Sequence, residues 1–424
     1  MKPLKLVKKL VMISIMPIPP LRRLVLKVVN GVRSLLYKRT MRKFPTEPKT
    51  VIFETFSGRS YSDNPRAIYE AMLADERFSD YKFIWVFNDA RIDSAGKLRN
   101  IGGIREKTFQ RASIVRYGTR EYYESYARAG VWVANARIRA CLKPKADQKY
   151  IQTWHGSALK KLGYDIEVES RKTISSNCDL RKLNDDDACR YFAMVSPSPF
   201  MTAVYKSSFN LAEVNPQCQI WETGYPRNDR LINYDKAEVA GIKKRLGLPS
   251  DKKVILYAPT WRDDQYKSDG HYFYEPHIDF VKLQAKFGDS HIVLFRAHYL
   301  VENKADFPEF DGFVRNVSKA NDINDLYLVA DILITDYSST FFDFANLHRP
   351  IIFYMDDLNH YQNDLHGFYL SLGELPGPVV TEMNDLQEHI ENPPEVTASY
   401  LDFVKKYAPF DDGTASKKVL EKIL

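Results

Sequence analysis

The stretch Ile332–Phe344, ILITDYSSTFFDF, is the most informative part of the sequence. An apolar run ends in Asp336, and hydroxyl residues and an aromatic amphipathic stretch follow. This order is typical of a buried strand that leads into the N-terminus of a helix. The N–H groups of a first helical turn, together with the hydroxyls of Ser338, Ser339 and Thr340, can bind a phosphate. Because the same hydroxyls also serve as ordinary helix caps, this stretch alone leaves both interpretations open.

The composition excludes several classes of protein. The chain has 424 residues, of which 44% are hydrophobic and 13% aromatic, so it can form two domains with substantial cores and is not a disordered chain. Its four cysteines form no C-x-x-C pair. Neither a disulfide framework nor a zinc cluster is therefore indicated, and a reducing cytoplasm fits best.

The positive charge is concentrated at the N-terminus. Residues 1–46 contain twelve Lys and Arg and no acid, whereas the whole chain carries +7, so the remainder is net acidic. The apolar run Leu10–Leu21 is interrupted by prolines and is shorter than the roughly 20 residues that span a bilayer. It also lacks a convincing signal-peptide cleavage site. Residues 1–46 therefore do not read as a spanning or secreted segment.

The next segment, Leu21–Leu36, places apolar residues at helical spacing with cations on the opposite side. This pattern predicts a helix that lies in an anionic membrane surface, and we interpret residues 1–46 as a basic amphipathic membrane anchor on the cytoplasmic face. Two alternatives stay open. The helix could pack on its own domain, or the basic residues could bind RNA, although we see no nucleic-acid motif and expect no nucleic-acid partner.

After residue 46, short apolar strands alternate with amphipathic stretches in two blocks. This alternation predicts two doubly wound α/β domains, residues 47–230 and 231–424, with the connection between Pro226 and Ser250. Helical periodicity occurs at Asp235–Leu246 and Asn324–Ala330. The strand candidates are Val51–Thr55, Phe83–Phe87, Val131–Asn135, Tyr150–Trp154, Ala193–Ser196, Ile220–Thr223, Val254–Ala258, Ile292–Arg296, Ile332–Thr335 and Ile351–Tyr354.

Each motif with chemical potential lies at the end of a strand candidate, where open parallel sheets bind ligands. In TWHGS, Thr153–Ser157, His155 precedes a glycine and can face a cleft. A histidine with a pKa near neutrality is the usual general base for an alcohol, so His155 is the candidate base. A structural histidine bonded to the backbone is the alternative.

Further candidates for phosphate binding occur in the second block. In YAPTWRDD, Thr260 and Arg262 could reach a phosphate, although Arg262 could equally pair with a neighbouring aspartate. In FRAH, alternation along an extended segment places Arg296 and His298 on the same side, about 6–7 Å apart, which suits a diphosphate. We interpret Asp336 as orienting hydroxyls or backbone around the site, with helix capping as the alternative.

The motifs that are missing narrow the chemistry. The sequence contains no G-x-x-x-x-G-K-[ST] loop, no G-x-G-x-x-G after the first strand and no G-x-S-x-G. The D-x-D at Asp185–Asp187 follows no strand candidate and is a poor site for a metal-held sugar nucleotide. We therefore expect a cleft that binds a nucleotide diphosphate with no cofactor and no obligatory metal.

Six motifs occur together and in order: TWHGSALK, ETGYPRND, YAPTWRDD, the R-x-H, ITDYSSTFFDFANLHRPIIFY and LPGPVV. From about residue 50 to 400 the chain resembles the CDP-glycerol glycerophosphotransferase family, the teichoic-acid primases and polymerases of Gram-positive bacteria. The resemblance implies a GT-B architecture, in which two Rossmann-like domains, one for the acceptor and one for the CDP-polyol, face a cleft. It also implies peripheral attachment to the cytoplasmic membrane face and a polyprenyl-diphosphate-linked acceptor.

By the same resemblance, the functional histidines are His155 and His298, and the phosphate-binding element is Asp336–Ser339. The sequence departs from the usual family pattern at Ser157-Ala158 and at His366, where the family commonly has Thr-Pro and Arg. Loop rigidity, acceptor fit and any contact of that arginine could therefore differ.

The expected reaction is transfer of glycerol phosphate from CDP-glycerol to an acceptor hydroxyl, with release of CMP. The expected catalytic residues are His155 and His298. The expected substrate-binding residues are Gly156, Thr260, Arg262, Arg296, Asp336, Ser338, Ser339 and Thr340. The alternatives are a CDP-ribitol or capsule polyol-phosphate transferase, a GT-B glycosyltransferase that uses a nucleotide sugar, and a catalytically inactive membrane or RNA-binding scaffold.

Overall fold

The computed structural model describes residues 19–93, 97–99, 106–167, 177–260, 277–297, 307–358 and 367–424. Within these residues, thirteen strands form two sheets. The strands are β1 Glu47–Glu54, β2 Lys82–Phe87, β3 Ala112–Arg116, β4 Ala129–Ala134, β5 Lys149–Gln152, β6 Ala193–Ser196, β7 Gln219–Glu222, β8 Lys253–Ala258, β9 His291–Phe295, β10 Val314–Asn316, β11 Ile332–Thr335, β12 Ile351–Tyr354 and β13 Val379–Val380.

The α-helices in the same described ranges are α1 Pro19–Lys43, α2 Asp63–Ala74, α3 Arg120–Arg128, α4 Asn177–Ala188, α5 Pro199–Ser208, α6 Leu211–Val214, α7 Asp229–Asn233, α8 Lys236–Leu246, α9 Phe280–Phe287, α10 Ile323–Val329, α11 Thr340–Phe344, α12 Met383–Glu391, α13 Ala398–Tyr407 and α14 Ala415–Ile423.

Both sheets are parallel and follow the same pattern of strand order. The first sheet runs β3-β2-β1-β4-β5-β6-β7, and the second runs β10-β9-β8-β11-β12-β13. In each, the order reverses beside the first strand, between β1 and β4 or between β8 and β11. The prediction of two parallel α/β sheets is confirmed. Because ligands bind at such reversal points, beyond the carboxyl ends of the strands, the topology alone marks where a site should lie.

The strands are apolar because both faces of each sheet are covered. In β1, Val51 and Phe53 pack in one hydrophobic cluster while Ile52, between them, packs in another on the opposite face. In β8, Leu256 and Tyr257 divide between two clusters in the same way. Strands buried on both faces read as continuous apolar runs, which is why the central strands could be found from the sequence.

All ten strand candidates correspond to strands, with ends that shift by up to four residues. The strands that were missed, β3, β10 and β13, all lie at the edges of the sheets. An edge strand pairs on one side only and is less buried, so it can be short and polar, as in β10. The helix predicted at Asp235–Leu246 forms as α8, and the Asp235 carboxylate caps it by accepting a hydrogen bond from the Glu238 N–H at 2.6 Å.

The N-terminal helix α1 has two different surroundings along its length. Near its C-terminal end, Tyr37 is fully buried and Met41 packs against the same cluster of the first sheet. Upstream, large apolar side chains are more than half exposed; they are Val28, Val32, Leu35 and Leu36. Packing on its own domain therefore holds for the end of the helix. Among the described residues, no helix is both long and apolar enough to cross a bilayer.

The last helix, α14, packs against the first sheet. Val419, Leu420 and Ile423 are buried in the cluster that contains Val51 and Phe53 of β1. The chain thus passes from the first sheet to the second and returns at its end. The domain boundaries 47–230 and 231–424 stay a prediction, and within them α14 covers the sheet of the first domain.

Candidate functional site

A cleft of about 600 Å³ lies at the carboxyl ends of both sheets. Its walls come from the segments that follow β1, β2, β4, β5 and β7 in the first sheet and β8, β9, β10 and β11 in the second. Seven of the predicted site residues line it: His155, Gly156, Thr260, Arg296, Ser338, Ser339 and Thr340. Asp336 is buried behind the wall, with 3% of its surface exposed. Arg262 and His298 lie outside the described residues.

His155 follows β5 in a strained turn, since the preceding Trp154 has a φ of 52°. Its Nδ1 lies 2.6 Å from the main-chain oxygen of Asn135. Because a carbonyl can only accept, Nδ1 carries the proton, and Nε2 is left with a lone pair. The Trp154 ring stacks on the imidazole with centroids 4.5 Å apart, and Phe56 contacts it edge-on at 5.6 Å.

The electrostatics of His155 suit a base. The imidazole faces the open cleft, but protein surrounds it closely enough that desolvation lowers its pKa below the ordinary 6.5, against the opposing effect of the Asn135 carbonyl. The ring is therefore neutral at pH 7. Sequence reasoning identified His155 but missed Asn135, whose main-chain oxygen sets the tautomer. Any type of residue can supply a main-chain oxygen, so the sequence gives no indication of such a contact.

At Gly156 the first-sheet side of the cleft lies against the second-sheet side. Its φ is +150°, and a Cβ built there would lie 3.3 Å from the Ser339 Oγ and 3.4 Å from a guanidinium nitrogen of Arg227. The glycine therefore lets the loop after β5, residues 153–162 (the His155 loop), approach a hydroxyl that follows a strand of the second sheet. This contact brings together two motifs that are 183 positions apart in the sequence.

The hydroxyl residues after β11 are available to a ligand. Ser339 is the N-cap residue of α11 but makes no side-chain capping bond, and in the described part of the chain its hydroxyl has no hydrogen-bond partner. The Ser338 Oγ accepts a long bond from the Thr340 N–H at 3.4 Å. The capping alternative therefore accounts for Ser338 only weakly and does not account for Ser339.

Asp336 binds backbone. Its Oδ1 accepts a hydrogen bond from the Thr260 N–H at 2.7 Å, and Thr335 donates to the Ala258 carbonyl at 2.8 Å. These bonds hold the segment after β8 against the segment after β11. The carboxylate therefore shapes the wall of the cleft from behind.

Arg296 supplies a positive charge to the second-sheet wall. It lies directly after β9, and its Nη1 donates to the Ala320 carbonyl at 3.2 Å. None of the carboxylates that the structure describes forms an ion pair with it, and burial lowers the pKa of its guanidinium. A desolvated guanidinium without a carboxylate favours an anionic ligand.

The wall of the cleft also contains a buried ion-pair network that sequence reasoning missed. Arg227, with 6% of its side chain exposed, donates to the Asp63 Oδ2 at 2.9 Å and to the Asp343 Oδ2 at 2.6 Å. Asn228 bonds Asp343 and the buried Asp411 at 2.9 and 2.7 Å. Asp63 begins α2 on the first sheet and Asp343 lies in α11 on the second, so Arg227 links the two sides of the cleft.

Burial and the neighbouring charges act in opposite directions on the pKa values of this network. Burial alone would lower the pKa of Arg227, but the carboxylates of Asp343 and Asp63 outweigh burial and raise it. Burial raises the pKa of Asp343, while Arg227 opposes the rise. Because its two terminal nitrogens bond carboxylates on opposite sides of the cleft, Arg227 acts as a structural link between them.

A second link joins the His155 loop to the C-terminal part of the chain. The Tyr369 N–H donates to the Leu159 carbonyl at 2.8 Å, and the Lys161 N–H donates to the Gly367 carbonyl at 3.1 Å. The neighbouring His366, where the sequence departs from the family pattern, lies outside the described residues. The loop that carries the base is therefore fixed from both sheets.

Two parallel α/β sheets with a neutral histidine, available hydroxyls and a desolvated arginine at their facing ends contain the parts that phosphoryl transfer uses, namely positioning and electrostatic stabilisation. The family model of CDP-Glycerol:Poly(glycerophosphate) glycerophosphotransferase matches residues 35–424. The chain therefore belongs to this family of enzymes, as the sequence motifs predicted.

Similar proteins agree with this assignment. A teichoic acid poly(glycerol phosphate) polymerase of Staphylococcus epidermidis is 38% identical over 94% of this chain and 53% of its own length. A teichoic acid glycerol-phosphate transferase of Staphylococcus aureus is 36% identical over 91% of this chain and 95% of its own. A solved structure of the wall teichoic acid polymerase TagF has a TM-score of 0.80 and 35% identity, and the match covers 95% of this chain and 96% of that one. The chain spans about half the length of the first of these relatives.

Proposed function

We propose that the protein transfers glycerol phosphate from CDP-glycerol to a hydroxyl of a polyprenyl-diphosphate-linked teichoic-acid precursor and releases CMP. The observation that carries this proposal is the neutral His155, whose Nε2 has a free lone pair in a cleft where the Ser339 hydroxyl lies against the neighbouring Gly156. Family membership supports the donor, as does the TagF structure obtained after a soak with CDPG.

In the proposed reaction, a hydroxyl of the acceptor attacks the β-phosphorus of CDP-glycerol. A new phosphorus–oxygen bond forms, and the bond from that phosphorus to the oxygen bridging to the α-phosphate breaks, so CMP leaves with that oxygen. The hydroxyl proton passes to the Nε2 of His155. The carbonyl of Asn135, 2.6 Å from Nδ1, then stabilises the imidazolium, because Nδ1–H keeps its acceptor throughout.

The second-sheet wall binds the donor in this proposal. Arg296, Ser338, Ser339 and Thr340 surround the diphosphate, and the positive charge of Arg296 offsets the charge that develops on the leaving phosphate. Thr260 is held in place by Asp336 through its N–H. His298 and Arg262 are assigned to the same diphosphate site by the family resemblance and stay predictions.

We further propose a GT-B arrangement, with the acceptor bound to residues 47–230 and the CDP-polyol to residues 231–424. The N-terminal segment would attach the enzyme to the cytoplasmic face of the membrane. The exposed apolar side chains of α1, such as Val28 and Val32, support attachment because the same helix is rich in Lys and Arg. A lipid-linked acceptor would be presented at that surface.

The test is CMP release from purified protein supplied with CDP-glycerol or CDP-ribitol and a lipid-diphosphate acceptor analogue, with the mass of the product recorded. We expect CMP with CDP-glycerol and a product heavier by glycerol phosphate. A ribitol-phosphate mass would replace the donor assignment. A glycoside with a released nucleoside diphosphate, or no CMP from either donor in folded protein, would refute the proposal.

A further inference from the structure

Two arginines belong to the part of the cleft wall that the first sheet supplies, and not to the second-sheet wall to which the donor is assigned. Arg59 follows β1 and Arg91 follows β2, and both belong to the lining of the cleft. They stand on the same sheet as His155, whereas Ser338, Ser339 and Arg296 follow strands of the second sheet. Both sheets therefore contribute arginines to the lining of the cleft.

Hydrogen bonds between the two turns hold the arginine pair together. The Asn88 N–H donates to the Gly58 carbonyl at 2.8 Å, and the Arg91 Nε donates to the Arg59 carbonyl. Gly58 has a φ of +76°, and a Cβ there would lie 2.8 Å from the Asn88 nitrogen, so only glycine allows the turns this close. The backbone from which the two arginine side chains project is therefore held in place.

The β1 turn is also tied to the catalytic side of the cleft. The Phe56 N–H donates to the Asn135 Oδ1 at 2.9 Å, and the Phe56 ring contacts the His155 ring edge-on. Asn135 is the residue whose carbonyl orients His155. The turn that carries Arg59 thus begins beside the general base.

The charge of Arg91 is not neutralised by protein in the described part of the chain. Its guanidinium is half-buried, forms no ion pair with any described carboxylate, and has its pKa lowered by desolvation. Arg227, in the same cleft, shows the contrast because two aspartates hold it. A fixed, partly desolvated guanidinium that lacks a carboxylate is suited to bind a phosphate oxygen.

We propose that Arg59 and Arg91 form a subsite for a phosphodiester of the acceptor, so that the enzyme favours an acceptor that already ends in glycerol phosphate. This inference rests on the proposed function, because it takes the second-sheet wall as the donor site. An acceptor phosphate at the arginine pair would leave the terminal hydroxyl to extend toward His155. The protein would then extend a chain of glycerol phosphate units.

The test is direct binding, by titration calorimetry, of a soluble oligomer of three glycerol phosphate units to the full chain. We expect Arg91→Gln to weaken this binding by about tenfold to a hundredfold, because a charge-assisted hydrogen bond is lost. Arg59→Gln should act in the same direction, and Arg91→Lys should retain part of the affinity. Arg120→Gln, on the exposed surface of α3 with 83% of its side chain accessible, is the matched loss of one charge and should leave binding unchanged.

The same variants are titrated with CDP-glycerol, since a donor diphosphate is the other source of a phosphate at this position. We expect unchanged donor affinity in Arg91→Gln. The inference is overturned if wild-type protein does not bind the oligomer, if Arg91→Gln binds it as tightly as wild type, or if only donor affinity falls. Neither titration requires turnover, so failure of the proposed reaction in the CMP assay is a separate result.

Discussion

Replacing Arg227 with methionine should destabilise the protein by about 3–5 kcal/mol at neutral pH. The side chain has 6% of its surface exposed and holds the carboxylates of Asp63 and Asp343 at 2.9 and 2.6 Å. Methionine fills much of the same volume but leaves two buried negative charges without a countercharge. Most of the loss is the cost of those charges, because the ion pair itself is offset by desolvation.

The pH dependence separates this cause from a simple packing defect. Burial already raises the pKa of Asp343 in the folded protein, and removal of Arg227 raises it further. An acid whose pKa is higher in the folded state than in the unfolded state destabilises the fold above its unfolded pKa, and protonation removes that penalty as the pH falls. The deficit of the variant should therefore be largest at pH 8 and should shrink toward pH 5.

Urea unfolding of wild type and Arg227→Met at pH 8, 7 and 5 measures this deficit. Arg120→Met, on the exposed surface of α3, is the control and should change the unfolding free energy by less than about 0.5 kcal/mol at every pH. A deficit below about 1 kcal/mol for Arg227→Met, or one that is the same at pH 8 and pH 5, would show that the network does not bear buried charge as described.

Three further predictions concern the cleft and the strand beside it. Because desolvation lowers the pKa of His155, the acid limb of the pH profile of kcat/KM should have an apparent pKa below 6.5, and a limb above 7 would exclude this base. Gly156→Ala should lower kcat/KM for CDP-glycerol about tenfold or more, since its Cβ would press on Ser339 at a φ of +150°; a wild-type value would show that the loop is free to move. Glu54, a buried carboxyl that accepts a hydrogen bond from the Tyr126 hydroxyl at 2.8 Å, has its pKa raised by burial from 4.5 to about 7. Urea unfolding should therefore show that Glu54→Gln stabilises the fold at pH 8 by about 3 kcal/mol. This gain should disappear as the pH falls toward 4.5, because the wild-type carboxyl is then protonated. If the variant and the wild type were equally stable at pH 8, Glu54 would not carry a buried charge.

The central strands and the position of the cleft could be predicted from the sequence because both depend on local patterns. A strand covered on both faces, such as β8 or β11, is a continuous apolar run, and its carboxyl end marks the ligand side of the sheet. The edge strands could not be predicted, because β10 and β13 have only three and two residues and take their conformation from a neighbour.

The contacts that complete the site depend on distant parts of the chain. Arg227 binds Asp63 and Asp343, which lie 164 and 116 positions away, and no residue-type pattern connects them. His155 could be predicted from its place at a strand end. The Asn135 carbonyl that orients it could not, because this contact depends on the pairing of β4 with β5. The pairing of Arg59 with Arg91 likewise requires the turns after two neighbouring strands.

The rate of CMP release by His155→Ala, measured with CDP-glycerol and an acceptor, tests the assignment of the general base most directly. Loss of a general base should lower turnover by about 10²–10⁴-fold while leaving the Kd for CDP-glycerol near the wild-type value. His389→Ala, on α12 and outside the lining of the cleft, should retain wild-type turnover. Near-normal turnover of His155→Ala would contradict the assignment of His155 as the base that accepts the acceptor proton.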